Sequence, residues 1–524
     1  MSNADNVVPT ANDVMLAVNS VNINFDRILG KRNPMIYGLF IEHFHRQIYG
    51  GIFSPGSPLA DGHGMRMDVA EALKRIAAPI MRWPGGCFVS SYHWKDGVGA
   101  ERRPLFDKAW RVEEPNIFGT DEFVRFCRLV GCEPYICTNA GTGTAEEMSD
   151  WVEYCNLQNE GANARQRIRN GHGAPYNVRY WSIGNENYGA WEIGAKKADE
   201  WALLAAEAAK MMKHVDPTIE LSAAALPDAE WNLKLLEHAG DYLDWISIHE
   251  YWDGIHQTNA LATYEQAMAY TAHLEDSIRK AEGILEATGY AGRIKIAFDE
   301  WNLRGWHHPN TLHADKSMYL APRDKNDDNS SYTMADAVFT ACFLNTLLRR
   351  HRSVHMANYA PAVNTRGLIY AYDEGIVLRG TYHVFDMFVN LMGEELADCW
   401  DASPQAMRVT HKNADAVEVC RLDVVATRKK DGRAAISIIN KHAYDEARLD
   451  IRIQGLAADR WRLSTLNGTN FDDYNDVGRP DSLCIVKKDI QSLDSGRDSG
   501  RGSGRDGCVS LTLPPHSVNV LESL

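Results

Sequence analysis

Short apolar runs recur between residues 36 and 358, and amphipathic stretches separate them. Ile36–Ile41, Ile80–Pro84, Pro134–Asn139, Val178–Glu186, Ile219–Ala224, Trp245–Tyr251, Ile294–Glu300 and Val354–Asn358 are rich in β-branched and aromatic residues. Such continuous runs suit strands buried on both faces. The intervening segments carry helical spacing. Val69, Leu73 and Ile76 recur on one face behind the capping-box pair Asp68 and Glu71. Thr120 is placed to cap a helix carrying Phe123, Phe126, Cys127 and Val130, with Gly131 as its stop. Thr144 and Glu147 repeat the box before Met148, Trp151, Val152 and Cys155. Strands alternating with helices imply parallel pairing, and eight is the number that closes a (β/α)8 TIM barrel. The competing topology is an open doubly wound sheet, but no GxGxxG follows the early strands. The glycines of Asn139–Thr144 lack the Lys-Ser/Thr of a phosphate loop and read as a tight turn.

Beyond residue 395 the pattern changes. "AVEVCRLDVVAT", "AAISIINK" and "EARLDIRIQG" alternate with period two and carry few helix signals. This predicts an antiparallel β-sandwich. Ser20–Asp26 alternates in the same way, so a strand near the N-terminus is expected to join that distal sheet. The resulting division is 1–30 with the sandwich, 31–395 as barrel, and 396–524 as C-terminal sandwich. Within the last, "DSGRDSGRGSGRDG" at 494–507 reads as an inserted low-complexity loop.

In a (β/α)8 barrel, chemistry sits where the strands end. The fourth run ends in Asn185-Glu186-Asn187 and the seventh in Asp299-Glu300-Trp301-Asn302. The first ends in Glu42-His43; "RWPGG", "SIHEYW" and "HMAN" close others. Paired carboxylates among amides and aromatics suit glycoside chemistry, in which one acid protonates the leaving oxygen and the other stabilises or captures the oxocarbenium carbon. The whole chain narrows the choice further. Its 524 residues carry a formal charge of −15, which disfavours nucleic acid or anionic membrane as a partner. Ten scattered cysteines read as reduced core residues. No basic start leads into an apolar segment and no apolar run is long enough for a bilayer span, so a cytoplasmic location is expected.

"FIEHFHRQIYGGIF", "MRWPGGCFVSSYHWKDGVG", "AWRVEEPNIFGTDEF", "NAGTGTAEEMSDWVEYCN", "WSIGNENYGAWEIG", "FDEWN" and "LPPHSVNVLE" together give the chain its strongest signature. In these stretches the sequence resembles glycoside hydrolase family 51, the α-L-arabinofuranosidases. The resemblance implies a barrel plus sandwich and a retaining exo-glycosidase acting on terminal α-L-arabinofuranosyl residues of small oligosaccharides. It needs neither cofactor nor metal, and implies a homo-oligomer, hexameric in many members. It assigns Glu186 as acid/base and Glu300 as nucleophile. Glu186 must then hold its proton near neutral pH, which calls for surroundings that raise its pKa.

The same resemblance makes Asn185 a partner of the sugar 2-hydroxyl. Glu42 becomes a sugar-binding carboxylate, or alternatively the ion-pair partner of Arg82. Tyr251 hydrogen-bonds the nucleophile, or simply packs. His249 orients either carboxylate, or fills the barrel end. Trp94 and Trp301 are pocket walls, or core tryptophans. His307 and His308 read as exposed loop histidines near a subsite. Two positions depart from the family pattern: Cys87 where many members have Asn, and Asn358 where many have Gln. Both are expected in the sugar subsite. They leave a second reading open, a related glycosidase for another furanoside, pentoside or hexoside. A non-catalytic sugar-binding protein is a third, disfavoured by the intact glutamate pair.

Overall fold

Eight parallel strands close into a barrel: β1 (Gly38–Phe40), β2 (Ile80–Trp83), β3 (Glu133–Thr138), β4 (Tyr180–Ile183), β5 (Glu220–Ala224), β6 (Trp245–Ile255), β7 (Lys295–Trp306) and β8 (Val354–Tyr359). The computed structural model describes residues 18–255, 263–306, 327–410, 416–456, 458–492 and 507–524. His307, His308 and almost all of the 494–507 stretch lie outside them. Neighbouring strands pair in chain order, and β8 closes on β1 through Asn358 opposite Gly38. Ile80, Tyr135, Tyr180, Trp245, Ala297 and Met356 form a separate apolar cluster contributed by six of the strands. Tyr135 reaches across to Ser222 and Asp299, so this cluster plugs the barrel beneath its C-terminal mouth. Among the described residues no helix is long and apolar enough to cross a membrane.

The helix starts follow the sequence unevenly. Thr144 caps Ala145–Asn156, accepting from the Glu147 amide, and Gly131 ends Thr120–Val130 in the left-handed region at φ 88°. Thr120 is not the cap of that helix. It lies inside the first turn, Gly119 precedes it, and its hydroxyl accepts from Trp151 Nε1. Asp68 forms no capping box either, because its carboxylate is taken by a bidentate pair with Arg66 at 2.9 and 2.6 Å.

The second unit is built on a nine-stranded sheet. Asn19–Lys31 lies inside it, antiparallel to Glu395–Asp401 and parallel to Ala447–Gln454. That parallel pairing is a departure from the all-antiparallel pattern expected of this region. The alternating residues Val21, Ile23, Ile436, Ile438, Leu449, Ile451, Val509 and Leu511 supply the core of the sandwich.

Met334–Arg349 joins the two units. This helix is buried along nearly its whole length and packs against β7 on one side and the sheet on the other. It is fixed by Asp336, whose carboxylate accepts both Nε and Nη2 of Arg304 on β7 at 2.7 and 2.9 Å and also the Thr333 amide. Both partners are buried. Asp336→Ala leaves Arg304 charged and unpaired, so it should cost about 3–5 kcal/mol of stability. Urea unfolding followed by tryptophan fluorescence measures this. A loss under about 1 kcal/mol would show that solvent reaches the pair.

Candidate active site

β2 carries Arg82 into the barrel, where its guanidinium is fully buried. Nη1 donates to Glu300 Oε1 at 2.6 Å, Nη2 donates to Asn185 Oδ1 at 3.0 Å, and Nε lies 3.4 Å from Asp299 Oδ2. One cation on β2 therefore gathers side chains from the ends of β4 and β7. Consecutive residues of a regular strand face opposite ways, yet Asp299 and Glu300 both meet Arg82. β7 makes this possible by slipping register against β6 between Ala297 and Glu300, and against β8 between Phe298 and Trp301. A bulge of this kind re-aims side chains beside a site. Tyr251 on β6 donates to the second oxygen of Glu300 at 2.7 Å.

Glu186 stands just past β4 at φ 42°, a left-handed conformation uncommon for a non-glycine residue. This turn presents its carboxylate to His249 and Trp191. His249 Nδ1 lies 2.9 Å from Oε1, and Trp191 Nε1 donates to Oε2 at 2.8 Å. The other nitrogen of His249 is 3.3 Å from Asp299 Oδ1. Burial opposes the imidazolium, but Glu300, Asp299 and Glu186 outweigh it and hold His249 protonated, up to about 10. Burial likewise works to raise Glu186, and here the bonds from His249 and Trp191 prevail and hold its pKa below the ordinary value. This corrects the expectation of a raised pKa on the acid/base. The proton of the pair therefore rests on His249, with Nδ1 directed at the Glu186 carboxylate. An oxygen of Glu186 and an oxygen of Glu300 lie within 4.8 Å of each other.

Glu42 supplies the third carboxyl. Phe88 N and Trp110 Nε1 both donate to its Oε1 at 3.0 Å. Arg82 is engaged elsewhere, so the alternative of a Glu42–Arg82 ion pair does not hold. Gly85, at φ 148°, lets the chain pass this close: a Cβ there would stand 2.3 Å from Glu42 Cγ. Burial first, and then the charge of Glu300, push the Glu42 carboxyl up to about 8.

The pocket is lined by Glu42, Cys87, Trp110, Asn185, Glu186, Trp191, Tyr251, Glu300 and Arg366, with Phe44 and Gly86. Asn185 offers it an amide nitrogen with no protein partner. Cys87 faces it as a neutral thiol, because burial and the nearby Glu192, Glu186 and Glu42 drive its pKa well up. Three expected wall residues are elsewhere. Trp94 stacks on Trp151 and donates to the Glu147 carbonyl, in the core. Trp301 leaves the bulge on the opposite side from Glu300 and packs among Phe343, Tyr359 and Phe385. Asn358 is fully buried in the barrel wall, where its Nδ2 donates to the Leu39 carbonyl at 2.8 Å.

Trp110, Trp191, Glu192 and Arg366 were not foreseen. Trp110 and Trp191 lie inside quoted motifs, and their NH groups bind Glu42 and Glu186. Arg366 comes from a loop beyond β8 and lies over the Tyr251 ring at 5.0 Å, a placement that no spacing encodes.

Glu42 yields a prediction on stability. Its folded pKa, about 8, exceeds the ordinary 4.5. The stability it contributes is thus fully present below the lower value and is lost as pH rises through the upper one. Glu42→Gln should therefore flatten the fall in melting temperature between about pH 5 and pH 8. Scanning calorimetry across that window tests it. Parallel wild-type and variant curves would mean that Glu42 is ionised throughout.

Known proteins resemble this chain over most of its length. A family model described as α-L-arabinofuranosidase 1 domain matches residues 72–269, and one described as α-L-arabinofuranosidase C-terminal domain matches residues 299–500. "Alpha-L-arabinofuranosidase C" of Emericella nidulans is 36% identical over 497 residues, which is 90% of this chain and 94% of that protein. "Intracellular exo-alpha-(1->5)-L-arabinofuranosidase" of Halalkalibacterium halodurans is 34% identical, covering 80% of this chain and 84% of that one. The crystal structure of α-L-arabinofuranosidase from Thermotoga maritima in complex with arabinose superposes with a TM-score of 0.84 at 35% identity, covering 97% of this chain and 100% of that one. The family 51 enzyme of Thermotoga petrophila superposes equally well, with a TM-score of 0.84 at 34% identity over 97% of this chain and 100% of that one. With its carboxylates gathered at the mouth of an eight-stranded barrel, the chain belongs to the α-L-arabinofuranosidases of glycoside hydrolase family 51.

Proposed function

We propose that the protein is a retaining exo-α-L-arabinofuranosidase that removes terminal non-reducing arabinofuranosyl residues from short oligosaccharides inside the cell. The observation that carries this reading is the approach of Glu186 and Glu300 within 4.8 Å. Retaining pairs stand about 5–5.5 Å apart, whereas inverting pairs leave about 6.5–9.5 Å for an attacking water. The intracellular setting is supported by the printed name of the Halalkalibacterium relative.

The sugar enters with its anomeric carbon toward Glu300. Arg82 and Tyr251 hold one oxygen each of that carboxylate, so its attack geometry is fixed before substrate arrives. The amide nitrogen of Asn185 is available to a sugar hydroxyl. As the carbon–oxygen bond breaks, Glu186 gives the departing oxygen a proton that it receives from His249 Nδ1. A β-linked arabinosyl ester forms on Glu300. Glu186, now without that proton, accepts one from water as the water attacks the ester from the opposite face and frees arabinose with its original configuration. Trp191, half exposed at the rim and bonded to Glu186, offers its ring face to the departing group. The reading of another sugar specificity rested on Cys87 and Asn358 together; Asn358 does not line the pocket, which leaves Cys87 alone to support it.

Two substitutions test the roles. Glu300→Gln should lower kcat by about a thousandfold or more with melting behaviour near that of wild type, since no ester can form. Retention of more than about a tenth of the activity, a loss under about 1.4 kcal/mol, would remove Glu300 from the nucleophile role. Glu186→Ala should slow aryl arabinofuranosides with basic phenols far more than those with acidic phenols. Added azide should restore turnover and yield the α-L-arabinofuranosyl azide, because azide attacks opposite the Glu300 ester. Equal losses for good and poor leaving groups, with no rescue, would contradict the acid/base assignment.

A further inference from the structure

Cys87 and Glu192, two side chains beside Glu186, have no part in the hydrolysis described. Glu192, on the loop after β4, is 5% exposed, and Ser90 Oγ donates to its Oε1 at 2.5 Å. Its second oxygen, Oε2, has no nitrogen or oxygen partner, and among the described residues the Cys87 thiol is the one further donor to this carboxyl. The Cys87 thiol faces this carboxyl. One ligating atom from each of Cys87, Glu186 and Glu192 lies within 4.8 Å of the other two. One oxygen of this buried carboxyl is thus held only by a weak thiol donor, and it is directed at that thiol and at a second carboxyl.

We propose that Cys87, Glu186 and Glu192 form an inhibitory site for a thiophilic divalent cation such as Zn2+ or Cd2+, which excludes the sugar from the pocket. The donor set selects the ion class. Thiolate with two carboxylate oxygens suits Zn2+ and its heavier congener, whereas Mg2+ and Ca2+ require oxygen ligands throughout. Three protein ligands leave a fourth position open to water. Binding releases to solvent both the thiol proton and the proton that burial holds on the Glu192 carboxyl, and joins sulfur and oxygen to the metal with no change of oxidation state. The neighbouring trio Glu186, His249 and Glu300 also converges. It is less suited, because both ring nitrogens of His249 are already directed at carboxylates, Nδ1 at Glu186 and Nε2 at Asp299. The cation also occupies Glu186, so inhibition must compete with substrate.

The test has one readout that needs no turnover. Cd2+ titrated into the sugar-free protein should produce a thiolate-to-metal charge-transfer band in the ultraviolet, and Cys87→Ser should remove it. Glu192→Gln, which keeps the thiol and the side-chain shape, should weaken Cd2+ binding by more than about tenfold. In kinetics, Zn2+ should raise KM with little change in kcat, and Mg2+ should do neither. Persistence of the whole band in Cys87→Ser would assign the metal to another cysteine, such as the exposed Cys420 or Cys484, and overturn the proposal. So would a Cd2+ affinity unchanged by Glu192→Gln, or inhibition that excess substrate fails to relieve. Because the band is read without substrate, its failure is distinct from a failure of the hydrolytic reading.

Discussion

A single buried guanidinium organises the mouth of the barrel. Arg82 is inaccessible to water, so its charge and its donors must be met by the protein. Glu300 and Asn185 accept its hydrogen bonds, and Asp299 stands as a counter-charge 3.4 Å from Nε. These belong to β7 and to the turn after β4, so satisfying one residue fixes the relative height of separate strand ends. The bulge in β7 follows from the same demand, since a regular strand would turn either Asp299 or Glu300 away. The proposed nucleophile thus occupies its position as a condition of the fold, and the Tyr251 bond completes its hold.

The charges around Arg82 form a chain rather than a set of pairs. Asp299 accepts from Tyr135 and Ser247 and faces His249; His249 in turn faces Glu186. Burial acts to raise Asp299, but Arg82 and His249 keep its carboxyl below the ordinary value. The anion on Asp299 and the cation on His249 sustain one another, and His249 brings a proton to within 2.9 Å of the proposed acid/base. A raised pKa on Glu186 alone is therefore not required for acid catalysis. Proton affinity is distributed over the pair, and substrate entry, by covering Glu300 and displacing water, shifts it toward the carboxyl.

What could be read from the sequence followed from abruptness. Buried strands ending in Asn-Glu-Asn and Asp-Glu-Trp-Asn place carboxylates where no core can use them, and alternation with amphipathic helices requires parallel pairing. The same logic failed where side-chain direction mattered. Trp301 adjoins Glu300 yet faces the core, because ordinary alternation resumes after the bulge and turns neighbours to opposite faces. Asn358 sits at a strand end, but its amide is consumed by the Leu39 carbonyl. Trp94 lies beside the "RWPGG" turn and still packs inward against Trp151. Arg366 and Glu192 come from loops, whose course depends on tertiary contacts and not on a repeating pattern. The expected pKa of Glu186 failed for a related reason, since it depended on the exact reach of His249 across two strands.

The central claim is a double displacement through Glu300, and the configuration of a captured product tests it most directly. Turnover of an aryl α-L-arabinofuranoside in dilute methanol gives a methyl arabinofuranoside that cannot mutarotate, and its anomeric proton signal reports the face attacked. The account predicts methyl α-L-arabinofuranoside, formed from the Glu300 ester by attack on the face that the leaving group vacated. Methyl β-L-arabinofuranoside would mean a single inverting displacement and would contradict the account.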